Sequence, residues 1–335
     1  MNFPLYVGDG KRGRSTLPMQ FPVSQRTRLM SPELYLADPG LVDACNVALL
    51  LRQPLLLTGE PGSGKTQFAY SLAWELGFEE PLKFETKSTS TARDLFYTYD
   101  ALKRFQDAQS GITYSSALPY IIYNALGIAI LRTKEKHEVT PLLLDDFIAH
   151  GKCRSVVLID EIDKAPRDFP NDLLNELEHL YFRVPELGNV KIEADPDLVP
   201  IIVITSNSEK ELPDAFLRRC IYYHLPFPEH DRLATIVENR LGLYAAGSST
   251  YLQNALDLFF TLRAPSSNLR KKPGTAELLG WMLSLKTLAG DVENPLLQSP
   301  DFTLRTLSAL VKTAEDQHKA REITQQWIQQ HQKSD

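Results

Sequence analysis

The stretch GEPGSGKT at residues 59–66 constrains the fold more than any other part of this chain. It has the spacing G-x-x-x-x-G-K-[ST], in which small residues let successive backbone N–H groups wrap around a phosphate. A short apolar strand, PLLLTG at 54–59, precedes it, and an amphipathic helical stretch, KTQFAYSLAWELG at 65–77, follows it. This order of strand, loop and helix is the context in which the motif binds phosphate, so it predicts an α/β domain that holds a nucleotide.

The side chains of this loop have distinct predicted roles. Lys65 is expected to reach the β- and γ-phosphates of ATP, and Thr66 is expected to be a ligand of Mg²⁺. ATP and Mg²⁺ are therefore the predicted cofactors. The residues expected to contact the nucleotide are Gly59, Glu60, Pro61, Gly62, Ser63, Gly64, Lys65, Thr66 and Gln67.

Two further apolar strands end in polar residues suited to the same site. SVVLIDEID at 155–163 turns acidic at its end, where Asp160 is expected to complete the Mg²⁺ shell and Glu161 to act as the base for the attacking water. VPIIVITSN at 199–207 ends in Asn207, whose amide can hold that water or the γ-phosphate. We interpret Asp163 as a cap of the following helix.

The apolar strands alternate with helical stretches, which favours a central parallel sheet flanked by helices. The predicted strands are 54–59, 81–86, 155–163, 199–207 and 221–227. After LPFPE at 225–229 the pattern changes to helical runs at 229–242, 250–263, 275–289 and 302–330, with no convincing strand.

A chain of 335 residues has room for about two domains of roughly 150 residues each. The predicted organisation is an N-terminal arm (1–34), an α/β nucleotide-binding domain (35–228) and an all-α lid domain (229–335). Two insertions interrupt the α/β domain at 87–150 and 181–198, and the second is predicted to be a hairpin that turns near Gly188 and Asn189.

The stretch LPDAFLRRC at 212–220 carries two adjacent arginines, Arg218 and Arg219, with no acidic residue nearby to neutralise them after Asp214. They are either cations at a solvated helix end, which the helix dipole favours, or groups whose anionic target lies elsewhere. One such target is the γ-phosphate of a nucleotide, because no other predicted residue stabilises the charge that develops on its far side.

Bulk composition excludes some classes of protein. The net charge of −6 gives no global basic field that would attract nucleic acid or an anionic membrane. Cys45, Cys153 and Cys220 are widely spaced, as expected of reduced thiols in a cytoplasmic protein. The apolar runs are far shorter than the roughly 18 residues of a membrane span, so no membrane association is expected.

These motifs in this order resemble those of the AAA+ ATPases over about residues 35–290. Within that family, the two insertions and the residues of the motifs resemble the MoxR branch. The resemblance implies that Lys65 and Thr66 form Walker A, Asp160 and Glu161 form Walker B, and Asn207 is sensor 1. It also implies that Arg219, with Arg218 as the competing candidate, is an arginine finger that completes the site of a neighbouring subunit in a ring, which in this family is usually a hexamer.

The chain departs from the family at sensor 2, which is usually an arginine at the start of a lid helix. Here the corresponding stretch is NLRKKPGTAELLGW, with Gly274 or Thr275 at that position. Arg270, Lys271 or Lys272 either takes the role or belongs to a solvated loop.

The resulting leading hypothesis is a chaperone-like ring ATPase that remodels or activates a partner protein, as expected of MoxR-like members whose partners carry a von Willebrand factor A domain. The alternative is the motor of a nucleic-acid-processing complex, of restriction or helicase-loading type, with cations of the first insertion along its pore. A slowly hydrolysing nucleotide switch is a third possibility. The aromatic residues Phe96, Tyr97 and Tyr99 either grip a peptide or pack the core of the first insertion.

Overall fold

The computed structural model describes residues 26–143, 152–207, 212–242 and 250–332, apart from a few side chains. The chain divides into two compact units. The first consists of residues 37–227, and the second combines residues 228–335 with the N-terminal segment up to residue 36. Residues 1–25 of the predicted arm lie outside the described residues.

A five-stranded parallel sheet forms the centre of unit 37–227, as the alternation of apolar strands and helices predicts. Its strands are β1 (Leu55–Thr58), β2 (Leu82–Glu85), β5 (Val156–Asp160), β8 (Ile201–Ser206) and β9 (Ile221–His224). Their spatial order is β2-β5-β8-β1-β9. The central strands β1 and β5 are buried throughout, which explains their continuous apolar sequences.

Helices flank this sheet. The described helices of the unit are α2 (Pro39–Leu51), α3 (Lys65–Glu75), α4 (Ala101–Gln109), α5 (Ala125–Leu131), α6 (Lys136–Val139), α7 (Phe169–His179) and α8 (Asp214–Leu217). Asp38 caps α2 by accepting the N–H of Gly40 at 3.0 Å, and it also accepts the hydroxyl of Tyr223 on β9. This double contact fixes the start of α2 against the sheet.

The first insertion folds around a small antiparallel pair, β3 (Tyr97–Tyr99) and β4 (Ile121–Tyr123). Its helix α5 lies so close to β3 that a Cβ on Gly127 would be 2.0 Å from the carbonyl oxygen of Phe96, so only glycine fits there. The two short strands β3 and β4 are not among the strands predicted from the sequence. Residues 144–151 of this insertion lie outside the described residues.

The second insertion is an antiparallel hairpin, as predicted, formed by β6 (Tyr181–Val184) and β7 (Val190–Glu193). The two insertions share one core, because the ring of Phe182 stacks on Phe96 with centroids 5.1 Å apart. The hydroxyl of Tyr97 also donates to Glu186 at 3.0 Å. Phe96 and Tyr97 are fully buried, so of the two alternatives left open by the sequence these two residues pack the core.

The second unit is helical in its described part, without a strand. Its helices are α1 (Arg26–Leu29), α9 (His230–Leu241), α10 (Thr250–Arg263), α11 (Thr275–Ala289), α12 (Pro295–Gln298), α13 (Pro300–Thr306) and α14 (Ala314–His331). Arg240 on α9 donates to the carbonyl of Leu29, which ties the N-terminal segment to this unit. No helix of the described residues is both long and apolar enough to cross a membrane.

Candidate functional site

The phosphate loop follows the end of β1 in a conformation that glycine alone adopts easily. Gly62 and Gly64 have φ values of +81° and +100°, in the left-handed region. Gly59 has a φ of +146°, and a Cβ there would lie 2.4 Å from the carbonyl oxygen of Leu225. Both glycines that define the motif, Gly59 and Gly64, and the additional Gly62 between them are therefore glycine for steric reasons.

Lys65 begins α3 and is buried, with 6% of its surface exposed. Its ammonium donates to the carbonyl oxygens of Gly59 at 2.8 Å and Glu60 at 2.9 Å, which hold it across the loop. Burial lowers the pKa of Lys65 below its usual range, and the negative charges of Asp163 and Asp160 partly oppose that shift. A phosphate at this loop would supply the anion that stabilises the buried ammonium.

Asp160, at the end of β5, accepts three hydrogen bonds. Its Oδ1 atom accepts from the hydroxyls of Thr66 at 2.9 Å and Thr205 at 2.6 Å, and its Oδ2 atom lies 3.0 Å from Nζ of Lys83. Burial alone would raise the pKa of Asp160, but the hydrogen bonds from Thr205, Lys83 and Thr66 outweigh it and lower the pKa. Asp160 is therefore held as a carboxylate.

Glu161 lies in the left-handed region, with a φ of +57°, which is uncommon for a residue with a Cβ. Such conformations cost of order 1–2 kcal/mol and concentrate at functional sites. Its N–H donates to the hydroxyl of Thr205 at 2.9 Å, and its carboxylate pairs with Lys164 while remaining 42% exposed. The strained turn thus places a solvent-accessible carboxylate directly after Asp160.

Asn207 follows β8, the neighbour of β5 in the sheet. Its backbone N–H donates to the Oδ1 atom of Asp163 at 3.0 Å. The interpretation of Asp163 as a helix cap is wrong, because α7 begins only at Phe169 and its N-cap residue is Asp168. Asp163 instead joins the chain after β5 to the end of β8, and so it helps to fix the position of Asn207.

The residues around the loop fit a magnesium nucleotide chemically. Thr66 and Asp160 supply a hydroxyl and a carboxylate 2.9 Å apart, which are the hard oxygen ligands that Mg²⁺ prefers. Ser63 contributes a buried hydroxyl without a hydrogen-bond partner among the described residues, which a phosphate oxygen would satisfy. The predicted residues Lys65, Thr66, Asp160 and Glu161 are thus assembled at one edge of the sheet.

Arg218 and Arg219 lie near the N-terminal ends of the parallel strands, opposite the ends that carry the candidate site. They directly precede β9, whose first residue Ile221 pairs with Leu55 at the beginning of β1. The phosphate loop follows the other end of β1, about 10 Å farther along at roughly 3.3 Å per residue. Both side chains are exposed, and Nε of Arg219 lies 3.8 Å from the carboxylate of Glu178 on α7. The sheet therefore separates the backbone of both arginines from the phosphate loop of their own chain.

Residues 54–220 match the family model of the AAA domain, dynein-related subfamily. The matched region begins just before the phosphate loop and ends just after the paired arginines. This region has the AAA+ fold, with its parallel sheet and phosphate loop. It covers just under half of the chain and contains every residue assigned above to the candidate site. The match names the dynein-related subfamily rather than the MoxR branch.

Solved structures with a similar fold include RuvB of Thermotoga maritima, described as a Holliday junction branch migration motor. That structure matches with a TM-score of 0.41 and 14% identity, over 83% of this chain and 69% of that chain. A RuvB variant from the same organism, with a threonine-to-valine substitution, matches with a TM-score of 0.43 and 15% identity over the same fractions. A search of curated protein sequences gave no match.

The stretch considered for sensor 2 lies in the helical unit, before α11. The backbone N–H groups of Arg270 and Lys271 donate to the carboxylate of Asp316 on α14, at 2.9 and 3.1 Å. Asp316 is fully buried; burial alone would raise its pKa, but these hydrogen bonds outweigh it and lower the pKa. The guanidinium of Arg270 lies 3.6 Å from Glu315. The stretch is thus anchored through its backbone, and its role as sensor 2 stays a prediction.

Two residues of the AAA+ site were missed by the sequence interpretation. Thr205 interrupts the apolar sequence of β8, and its register places it beside Asp160, where it bridges Asp160 and Glu161. Lys83 lies on β2 and reaches Asp160 from the other side. A polar residue within an otherwise apolar strand was the available signal for Thr205. For Lys83 the alternation Lys83–Glu85 suggested only an exposed strand face.

We expect Lys83→Met to destabilise the unliganded protein by about 1–3 kcal/mol, because it leaves the buried carboxylate of Asp160 without its cation. The measurement is the free energy of unfolding in urea at neutral pH. Lys191→Met is a matched control: Lys191 forms the same type of pair along a strand, with Glu193 at 2.7 Å, but on an exposed surface. It should cost no more than about 1 kcal/mol. Equal effects of the two substitutions would contradict a supporting role of Lys83.

Proposed function

We propose that the chain is an ATPase that hydrolyses ATP to ADP and phosphate. The observation that carries the proposal is the contact between Thr66 and Asp160, at 2.9 Å, beside the buried ammonium of Lys65. It joins a phosphate-binding group and a candidate metal-binding pair in one place. Glu161 adjoins that pair, with an accessible carboxylate.

Each residue has a defined part in this reaction. Lys65 and the loop N–H groups bind the phosphates, and Thr66 and Asp160 would hold Mg²⁺, which neutralises charge on the phosphate oxygens. Glu161 accepts a proton from the attacking water as the water oxygen bonds to the γ-phosphorus and the bond to ADP breaks. Asn207 orients that water or the γ-phosphate.

Lys65→Ala should weaken ATP binding by at least tenfold, because the substitution removes a desolvated cation whose hydrogen bonds to phosphate are charge-assisted. Titration with a fluorescent ATP analogue measures the change, and the exposed Lys191→Ala is the control. Unchanged affinity in Lys65→Ala would contradict the assignment of the phosphate loop.

The position of Arg218 and Arg219 supports an oligomer. Because the sheet separates them from the phosphate loop of their own chain, an arginine that acts on the γ-phosphate would come from a neighbouring subunit. We propose that Arg219 is this finger. We also propose that the assembly is a homo-oligomeric ring, of six subunits as is usual in the AAA+ family. Exposure of both arginines and the long, weak pairing of Arg219 with Glu178 support their availability.

We further propose a MoxR-like role, in which hydrolysis remodels or activates a partner protein that carries a von Willebrand factor A domain. The two insertions support this role because they form one joined body, in which Phe96 stacks on Phe182. Helix α4 adds an exposed part to that body, since it has no buried residue and exposes Leu102 and Phe105. These apolar side chains, rather than Phe96 and Tyr97, are available to a partner.

The alternative of a nucleic-acid motor rests on four cations of the first insertion, Lys87, Arg93, Lys103 and Arg104. Two of them have intramolecular contacts: Arg93 lies 5.8 Å from the centre of the Tyr97 ring, and Arg104 donates to Tyr99 at 2.6 Å. We therefore favour the protein partner. DNA binding that requires ATP and weakens steeply with salt would favour the motor instead. A turnover number near zero, with ATP bound, would favour the nucleotide switch.

A further inference from the structure

A cavity of about 260 Å³ lies in the unit of residues 37–227, at the end of the sheet opposite the phosphate loop. The first residues of β1 and β8 form its floor, and the C-terminal parts of α2, α3 and α7 form its walls. The cavity is therefore separate from the candidate nucleotide site, although α3 runs from one to the other. Its volume exceeds the roughly 150 Å³ of an apolar cavity that binds benzene.

The lining of this cavity is apolar except at a few positions. Leucine, isoleucine, valine, alanine, proline and phenylalanine side chains form most of it, together with the thiol of Cys45. The charged residues in the lining are two arginines, Arg52 and Arg154, and no Asp or Glu is among the described residues that line it. The cavity thus combines an apolar interior with an uncompensated positive charge.

Both arginines are held in place by carbonyl groups that leave their charge intact. Arg154 donates to the carbonyl oxygen of Asp197 at 2.6 Å, and Arg52 donates to that of Pro196 at 2.8 Å. Neither forms an ion pair with a carboxylate of the described residues. The Nε atom of Arg154 is buried and has no hydrogen-bond partner among the described residues. A buried donor without an acceptor is unfavourable, so a small rotation of the Arg154 side chain that brings this donor to a carboxylate would be favourable.

We propose that this cavity is a binding site for a small amphiphilic carboxylate, with its apolar chain in the cavity and its carboxylate on Arg154. Scaled from the six carbons of benzene in 150 Å³, the volume suits roughly ten non-hydrogen atoms, as in a carboxylate of eight carbons. Arg154 presents parallel N–H donors of the kind that bind carboxylates in pairs, and the lining offers no acidic group that would repel the ligand. The site is independent of the proposed ATPase activity.

The test uses octanoate, octylamine and 1-octanol, which share one chain and differ in the charge of the head group. Isothermal titration calorimetry of the full chain should show one octanoate per protomer, bound at least tenfold more tightly than octylamine. Arg154→Met should weaken octanoate by at least tenfold and leave 1-octanol unchanged. Ala48→Leu, which fills part of the cavity from α2, should weaken both octanoate and 1-octanol.

Thermal unfolding and ATP binding of both variants serve as controls for folding, because neither Ala48 nor Arg154 belongs to the candidate nucleotide site. Octanoate that binds no better than octylamine, or equally well to wild type and both variants, would overturn the proposal. Absence of octanoate binding, with a change of oligomeric state in Ala48→Leu, would also overturn it and identify the cavity as a contact between copies of the chain.

Discussion

Glu161→Gln is expected to abolish turnover of ATP, with a loss of about 10²–10⁴-fold, the usual contribution of a general base. Glutamine keeps the size of the side chain but cannot accept the proton of the attacking water. ATP binding should persist, because the Glu161 carboxylate pairs with Lys164 rather than with a residue of the phosphate loop. Steady-state hydrolysis and nucleotide affinity, measured on the same preparation, separate the two effects.

Glu193→Gln is the matched control for this substitution. Glu193 is also an exposed carboxylate paired with a lysine, Lys191, but it lies on the hairpin strand β7. The control should hydrolyse ATP at the wild-type rate. Normal turnover in Glu161→Gln would remove Glu161 as the base, and loss of ATP binding would mean that the residue acts on the structure of the loop. Size-exclusion chromatography of Glu161→Gln with ATP should show an assembled ring.

Arg219→Ala is expected to reduce hydrolysis by about 10³-fold or more, the range attributed to arginine fingers in nucleotide hydrolysis. Nucleotide binding should change much less than hydrolysis, because the phosphate loop and Lys65 supply the binding contacts, whereas the finger acts on charge that develops in the transition state. Arg218→Ala is the adjacent control, and its loss should be the smaller of the two. A larger loss in Arg218→Ala would identify Arg218 as the finger instead. Full activity in both variants would show that neither arginine acts as a finger.

The α/β fold and the polar ends of its strands follow from the sequence because they depend on local patterns. The glycines of the phosphate loop mark positions that require left-handed φ values, and the apolar runs mark strands covered on both faces. The C-terminal helices are also recognisable from their periodicity. The predicted run 302–330 is interrupted, however, and forms α13, a short 3₁₀ turn at Leu307–Ala309 and α14.

The contacts between strands could not be predicted in the same way. Strand order and register decide that Thr205 and Lys83 meet at Asp160, and both are set by packing between distant segments. The first insertion was difficult for a related reason. Its β3 and β4 strands have three residues each, and Tyr97 and Tyr123 on them pack against Phe182 of the other insertion.

The most direct test of the central claim, hydrolysis completed by an arginine from a neighbouring subunit, is to mix two inactive variants. Arg219→Ala and Glu161→Gln chains, combined over a range of ratios and allowed to exchange subunits, should regain hydrolysis at interfaces where an intact Glu161 meets an intact Arg219. In a random equal mixture about one quarter of the interfaces of a ring meet this condition, so activity should approach one quarter of the wild-type value. Absence of activity at every ratio, with mixed assemblies demonstrated, would contradict the claim.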